Sequence, residues 1–374
     1  MAHEPFLPTK LLSGDPVTDV ACISFSLDGA FVACSDQMAG NATIWSTSLG
    51  TQVAQFKDAA GLALDFSPDA SLVATYGQGK IKVRALNSGE CLAALSWGDP
   101  TDTECYDLHF SRAGDLLVFV NESWVRMWST KDWNEMAHYS FKDAECGLRS
   151  TYIDDRVMVY SILNQTNRRK AFCVADVENG HTVFQVDFDT TATVSFDGRR
   201  VALGVLKPAS GHEVWDILSQ ERKCTINGIA DSSTLTFLSR TGSIFASTRI
   251  PAANPIGTNG IPVYIWDAEL GVHTSTISCK RSALQFRYSP AHHILAMISF
   301  SKSLEINETV FVHPLANKVL AHAIGHPLFC ADNHQFSPCG RWFATAATQL
   351  SAAYYDKPIP SGTVVLTDLL PILP

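Results

Sequence analysis

The sequence has no apolar run approaching the roughly 20 residues that a helix needs to cross a bilayer. Met1 to Lys10 lacks the charged and apolar regions of a signal peptide. The expectation from both is a cytoplasmic or nuclear protein, not secreted and not inserted into a membrane. Basic residues are sparse: 28 Lys and Arg against 37 Asp and Glu leave a net charge of −9. That balance argues against non-specific nucleic-acid binding, which needs dense cations to displace counterions. The short clusters Arg168-Arg169-Lys170 and Arg199-Arg200 read as solvated turns. The 10 Cys show no paired spacing, and Cys22, Cys34 and Cys173 fall inside apolar strand patterns, as reduced buried side chains do. Asn-x-Ser/Thr triplets at Asn41, Asn121, Asn164 and Asn307 carry no weight without a secretory signal.

Chemical motifs are equally thin. No Gly-x-Ser-x-Gly elbow is present. Gly77-Gln78-Gly79-Lys80 lacks the spacing of a phosphate loop and reads as a tight turn between strands. His322, His326, Cys330 and His334 recur every four residues, a spacing that on a helix would form one stripe. Gly325 and Pro327 oppose a helix there. The repeat register described next places His322 on an outer strand, His326 in a loop and His334 on an inner strand, with His292 and His293 in a turn. Zinc ligands must converge within about 2.0 to 2.3 Å of one ion, so no metal site is expected. No catalytic or cofactor-binding residues are assigned.

What the chain does have is repetition. An apolar residue, a Ser, a tight turn and then a large and a small apolar residue recur along it. Phe25-Ser26-Leu27-Asp28-Gly29 leads to Val32-Ala33, Phe66-Ser67-Pro68-Asp69 to Val73-Ala74, and Phe110-Ser111-Arg112-Ala113-Gly114 to Leu117-Val118. Tyr152 opens a weaker copy. Val194-Ser195, Leu238-Ser239, Tyr288-Ser289 and Phe336-Ser337 open the remaining four. A second line follows each first one: an alternating strand closed by an aromatic residue or its substitute. Thr43-Ile44-Trp45, Trp124 to Trp128, Val214-Trp215-Asp216 and Val263 to Asp267 keep a Trp. Ile81 to Arg84, Phe172 to Ala175, Val310 to His313 and Val364 to Thr367 have lost it. Period-two alternation between Gly, Asn, Asp and Ser predicts half-buried strands.

On these residues the chain resembles the WD40-repeat family over nearly its whole length. Trp-Asp is intact at Trp215-Asp216 and Trp266-Asp267, and a Gly-His pair stands at Gly325-His326. The resemblance implies an all-β fold: a single closed β-propeller of about eight four-stranded blades, seven being the alternative. Domain bounds are 9–370, with short tails at 1–8 and 371–374. The family's His–Ser/Thr–Asp–Trp tetrad cannot be built in most blades here, which must rely on packing. The last repeat lacks an outer strand, and Thr9 to Ser13 has the pattern to supply it and close the ring.

The family resemblance implies a non-catalytic scaffold or adaptor, alone or as a subunit of a larger complex. The alternative is a propeller enzyme or a small-molecule or metal binder using the central channel. Connections between second and third strands emerge on one face, and those of blades 6 to 8 are long: Arg249 to Ile261, Phe300 to Glu308 and Thr348 to Ser361. Loops on a rigid scaffold carry binding. Tyr354, Tyr355, Asp356 and Lys357 lead the candidate contacts, because Tyr gives large area at little entropy cost. Phe300 and Asn254 join them from the neighbouring loops, and Trp97 and Asp99 from the blade 2–3 connection. Asp58, Asp143, Asp99, Asp102 and Glu104 would make that side acidic and suit a basic partner. Phe-Lys-Asp-Ala at Phe56 to Ala59 and again at Phe141 to Ala144 reads as an echoed blade-to-blade turn.

Overall fold

The computed structural model describes residues 5–13, 20–36, 39–59, 61, 63–96, 105, 107–121, 124–140, 144–146, 152–153, 157–164, 170–176, 181–206, 210–228, 234–249, 262–278, 283–301, 306–324, 334–346 and 364–373. Strand β1 (Thr9–Leu11) is followed by three sheets. Blade 1 holds β2 (Val20–Phe25), β3 (Phe31–Asp36), β4 (Asn41–Ser46) and β5 (Gln52–Lys57). Blade 2 holds β6 (Leu64–Phe66), β7 (Leu72–Gly77), β8 (Lys80–Ala85) and β9 (Cys91–Leu95). Blade 3 holds β10 (Asp107–Phe110), β11 (Leu116–Val120), β12 (Trp124–Ser129) and β13 (Glu135–Ser140).

Blade 4 is irregular. Its inner edge is split into β14 (Ala144–Cys146) and β15 (Tyr152–Ile153), which both pair with β16 (Val157–Asn164), and β17 (Lys170–Asp176) and β18 (Thr182–Phe188) complete it. The weak repeat opened by Tyr152 is therefore only the second half of an interrupted inner strand.

Blades 5 to 7 are regular. Blade 5 contains β19 (Ala192–Val194), β20 (Arg200–Val205), β21 (Gly211–Asp216) and β22 (Glu221–Asn227). Blade 6 contains β23 (Thr234–Leu238), β24 (Ile244–Arg249), β25 (Pro262–Asp267) and β26 (Val272–Ser278). Blade 7 contains β27 (Ala283–Tyr288), β28 (Leu295–Ser301), β29 (Ile306–His313) and β30 (Lys318–Ile324). Three strands remain, β31 (His334–Phe336), β32 (Trp342–Ala346) and β33 (Val364–Asp368), and β1 pairs antiparallel with β33 to complete blade 8. The fold is an all-β, single closed β-propeller of eight blades, with the N-terminal strand in the place expected from the sequence.

The recurring Ser is explained by the turn between first and second strands. Its Oγ accepts the N–H five residues on: Phe31 to Ser26 and Leu72 to Ser67 at 2.9 Å, and Leu116 to Ser111, Arg200 to Ser195, Ile244 to Ser239 and Trp342 to Ser337 at 3.0 Å. The same hydroxyl donates to Asp28, Asp69, Asp115 and Asp197 in four of these turns, at 2.6 to 2.7 Å. Each such Ser is buried, so its two bonds satisfy groups that water cannot reach. The turn also needs a left-handed residue, and Gly29, Gly114, Gly198, Gly242 and Gly340 occupy that position at φ 69 to 79°. Blade 2 places Ala70 there at φ 56°, against its steric preference.

The second repeated line has an equally local cause. In six blades the pairing of third and fourth strands shifts by one residue, at Ile44/Trp45, Val83/Arg84, Met127/Trp128, Val174/Ala175, Val214/Trp215 and Ile265/Trp266. A bulge there bends the strand and increases its twist.

Packing divides the chain into two units: residues 1–6, 141–304 and 308–322 in one, and 7–140, 305–307 and 323–374 in the other. Within each unit the core lies between neighbouring blades. In the second unit, Phe25, Val32 and Trp45 of blade 1 pack with Trp342, Ala344 and Leu366 of blade 8, and Tyr76, Ile81 and Val83 of blade 2 with Leu108, Leu117 and Phe119 of blade 3. In the first unit, Phe172 and Val174 pack with Val201 and Leu203, and Ile244, Val263 and Ile265 with Phe286, Leu295 and Met297. The N-terminal segment belongs to both units in turn. Phe6 forms a parallel bridge to His322 on β30, while Ser13 bridges Thr51 and accepts a bond of 2.8 Å from Trp45 Nε1.

Candidate functional site

The sequence-derived contact residues meet the structure unevenly. Tyr354, Tyr355, Asp356, Lys357, Asn254, Trp97 and Asp99 lie outside the described residues, as do Asp102, Glu104, Asp143 and His326. Phe300 belongs to strand β28, so the blade 7 connection is 302–305 and short. The corresponding connections in blades 1 to 5 run 37–40, 78–79, 121–123, 165–169 and 206–210. Those of blades 6 and 8 run 250–261 and 347–363. Two long connections remain of the three expected. Asp58, offered as part of an acidic surface, is paired with Lys82 at 3.1 Å. The histidines are placed as read: His322 on β30, His334 on β31, and His292 and His293 in the turn before β28. Among the described residues no three His, Cys, Asp or Glu side chains gather to hold a metal ion.

The Trp position of the third strand shows how degenerate repeats are held together. Trp266 Nε1 donates to Ser247 Oγ at 3.4 Å. In blade 2 the same position is Arg84, which is buried. Its guanidinium donates to Thr75 Oγ1 at 3.1 Å and to the Lys57 carbonyl at 3.0 Å, and lies 5.2 Å from the Phe56 ring centre. An always-charged group is tolerated there because both hydrogen bonds and the ring face replace water. The first Phe-Lys-Asp-Ala copy thus serves the fold, with Phe56 and Lys57 receiving Arg84.

Sequence reading missed a cluster on the inner strands. Two residues before the turn Ser, blades 1 to 3 carry Ser24, Asp65 and His109. At this register Ser24 and Asp65 reach the next blade, whereas His109 lies against Asp107 of its own strand. Ser24 Oγ donates to Asp65 Oδ1 at 3.3 Å, and the Phe110 amide donates to Asp65 Oδ2 at 2.9 Å. His109 Nδ1 lies 3.3 Å from Asp107 Oδ2. Both imidazole nitrogens are shut off from solvent; Nδ1 has the Asp107 carboxylate beside it, and Nε2 has no hydrogen-bond partner among the described residues.

Burial pushes the Asp65 carboxyl up to about 6, against the lowering effect of the Phe110 amide and the His109 charge. Burial pulls the His109 imidazole down, but the Asp107 and Asp65 carboxylates outweigh it and the net shift is upward. Cys22 and Cys105, close by, are raised by burial and hold their protons. The Asp65 carboxyl therefore changes protonation near pH 6, within a group of two carboxylates and one imidazole coupled together. The register was visible in the sequence as Ser24, Asp65 and His109 two places before each Ser. Blade 5 has the neutral counterpart: Thr193 Oγ1 meets Thr236 Oγ1 of blade 6 at 2.6 Å.

No helix among the described residues is long and apolar enough to cross a membrane. No family model matches the chain, and no curated protein matches it. Its fold is similar to the solved structure of U3-55K, with TM-score 0.58 and 11% identity over 98% of this chain and 99% of that one. It is also similar to a eukaryotic initiation factor, with TM-score 0.58 and 13% identity over 93% of this chain and 83% of that one. At these identities the likeness is one of fold alone, that of a β-propeller.

Proposed function

We propose that the protein is a non-catalytic interaction platform of the WD40 kind, which holds partner segments through the long connections of blades 6 and 8. One observation carries the reading. Connections between second and third strands are 2 to 5 residues long in six blades, but 12 residues (250–261) in blade 6 and 17 (347–363) in blade 8. Short connections suffice to build the fold, so the two long ones serve something other than closure. The turns at the opposite end of the blades, fixed by buried Ser hydroxyls, supply the rigid support that a binding loop needs. The Tyr354-Tyr355-Asp356-Lys357 sequence followed by Pro358-Ile359-Pro360 suits a contact of low ordering cost.

A second reading rests on the Asp65–Asp107–His109 cluster, which suits a cationic group bound at the inner strands of blades 1 to 3. One experiment separates the two. The intact chain and a variant with Gln349–Pro358 replaced by a short Gly/Ser turn, both shown to fold by circular dichroism, are used for affinity capture with mass spectrometry. The platform reading expects a reproducible partner set that the loop variant loses. Identical partner sets from both proteins would contradict the role of this loop. Capture that instead depends on Asp65→Asn would favour the inner-strand site.

A further inference from the structure

The opposite end of blades 5 and 6, formed by the turns between first and second and between third and fourth strands, is built as one surface. The Asp197 amide donates to the Arg240 carbonyl at 3.0 Å, tying the first turns of the two blades together. The Ile217 amide donates to the Arg199 carbonyl at 2.9 Å, seating the second turn of blade 5 on its first. Arg200 then pairs with Asp216 in its own blade and with Glu269 of blade 6, the latter at 2.7 Å. The stem of Arg200 fills the space where Gly242 has no side chain, since a Cβ there would lie 2.3 Å from Arg200 Cγ. Every link lies within one packing unit, and the surface is therefore fixed in advance of any binding.

Two features make this surface unlike an ordinary solvated turn region. Phe196 is 46%, Leu218 60% and Leu270 71% exposed, an aromatic and two leucines carried by the turns at this end of the two blades. A turn Leu also recurs at Leu49 and Leu315, so the leucines alone mark the repeat and not a site. The charge pattern supplies the difference. The turn carboxylates are all engaged: Asp197 by Ser195 and the Arg199 amide, Asp216 and Glu269 by Arg200, and Asp267 by the Glu269 and Leu270 amides. Arg199 and Arg240 are exposed, and neither has an ion-pair partner among the described residues. Two exposed guanidinium groups without an ion-pair partner among the described residues, on a chain of net charge −9, are open to an acidic partner.

We infer that this surface of blades 5 and 6 docks a peptide segment of a partner protein that carries a carboxylate among bulky apolar residues. The inference rests on the platform reading but places a contact away from the long connections. The carboxylate bridges Arg199 and Arg240, and the apolar side chains cover Phe196, Leu218 and Leu270. Charge complementarity selects the segment, and the apolar contacts hold it.

The test uses a displayed library of random peptides about a dozen residues long, selected on the intact chain. A labelled member of the enriched set is then titrated by fluorescence anisotropy. The expected peptides pair Asp or Glu with Leu, Phe or Trp, and bind more weakly as salt rises. Their affinity falls at least tenfold in Arg199→Glu/Arg240→Glu and in Leu218→Ser, but not in the Gln349–Pro358 replacement. The three substituted side chains are exposed and make no bonds that the fold needs, so these variants remain folded. Peptides without an acidic residue, or equal binding to the charge-reversed variant, would overturn the inference. Loss of binding only in the loop replacement would also overturn it while leaving the platform reading intact. A selection that enriches no peptide would overturn it outright.

Discussion

Blades 2 and 3 and blades 5 and 6 solve one structural problem with different chemistry. In both pairs a polar side chain two residues before the turn Ser reaches from one inner strand to the next. In blades 2 and 3 the contact is Asp65 to the Phe110 amide, with His109 and Asp107 beside it. In blades 5 and 6 it is Thr193 to Thr236. The Ser turns beneath are alike, Ser67 and Ser239 each accepting an amide five residues on. The difference teaches that the turn holds the blade, whereas the inner-strand contact is made by a carboxylate in blade 2 and by a neutral hydroxyl in blade 5. Where that group is a carboxylate, stability becomes tied to pH.

The largest expected effect breaks this comparison by removing the charge. Asp65 is held near 6 when folded, against an ordinary 3.8. Between those values the folded chain keeps a proton that the unfolded chain has released. The stabilisation is full below the unfolded value and is lost as pH rises through about 6. Asp65→Asn, whose amide oxygen can still accept from Phe110, should raise stability at pH 7 to 8 by about 2 to 3 kcal/mol. The gain should vanish toward pH 4, as read by urea unfolding across the range. A difference independent of pH would show that Asp65 is not the titrating group. His109, also raised, acts in the same direction, with a contribution lost as pH climbs through its folded value.

The next effect should be shared by both regions. Ser67→Ala and Ser239→Ala each leave a buried amide without its acceptor and should cost about 1 to 2 kcal/mol, with similar values. A large cost in only one would mean that the turn is not the common support. Thr193→Val then isolates the neutral inner-strand contact and should cost about 1 kcal/mol, unchanged between pH 4 and 8 in the same unfolding series. The smallest effect sharpens the turn itself. Ala70→Gly relieves the left-handed backbone of blade 2 and should add about 0.5 to 1 kcal/mol, seen as a small rise in Tm.

Much of this architecture was legible because its causes are local. Ser26 and its equivalents sit in a turn that depends on its own few residues, so the signal repeats in every copy. The same holds for Trp45, Trp215 and Trp266 at the bulge. The strand Thr9 to Leu11 could be assigned to β33 because one blade lacked a strand and one strand lacked a blade. Contacts between blades were less legible. Arg84 was read as a lost Trp, and only the fold shows it bonded to Thr75 and Lys57. Asp65 and His109 lie 44 residues apart in sequence and come together only once two inner strands stand side by side. The split inner edge of blade 4 departs from the period that made the other blades visible. Phe300 was assigned to a loop because its strand continues beyond the repeat's usual length.

Hydrogen–deuterium exchange on the chain, alone and with its captured partner, tests the central claim most directly. The platform account predicts slowed exchange in peptides spanning 250–261 and 347–363, with the inner strands of blades 1 to 3 unchanged. Unchanged exchange in both connections, with protection confined to β6 and β10, would contradict it and assign binding to the Asp65 and His109 cluster.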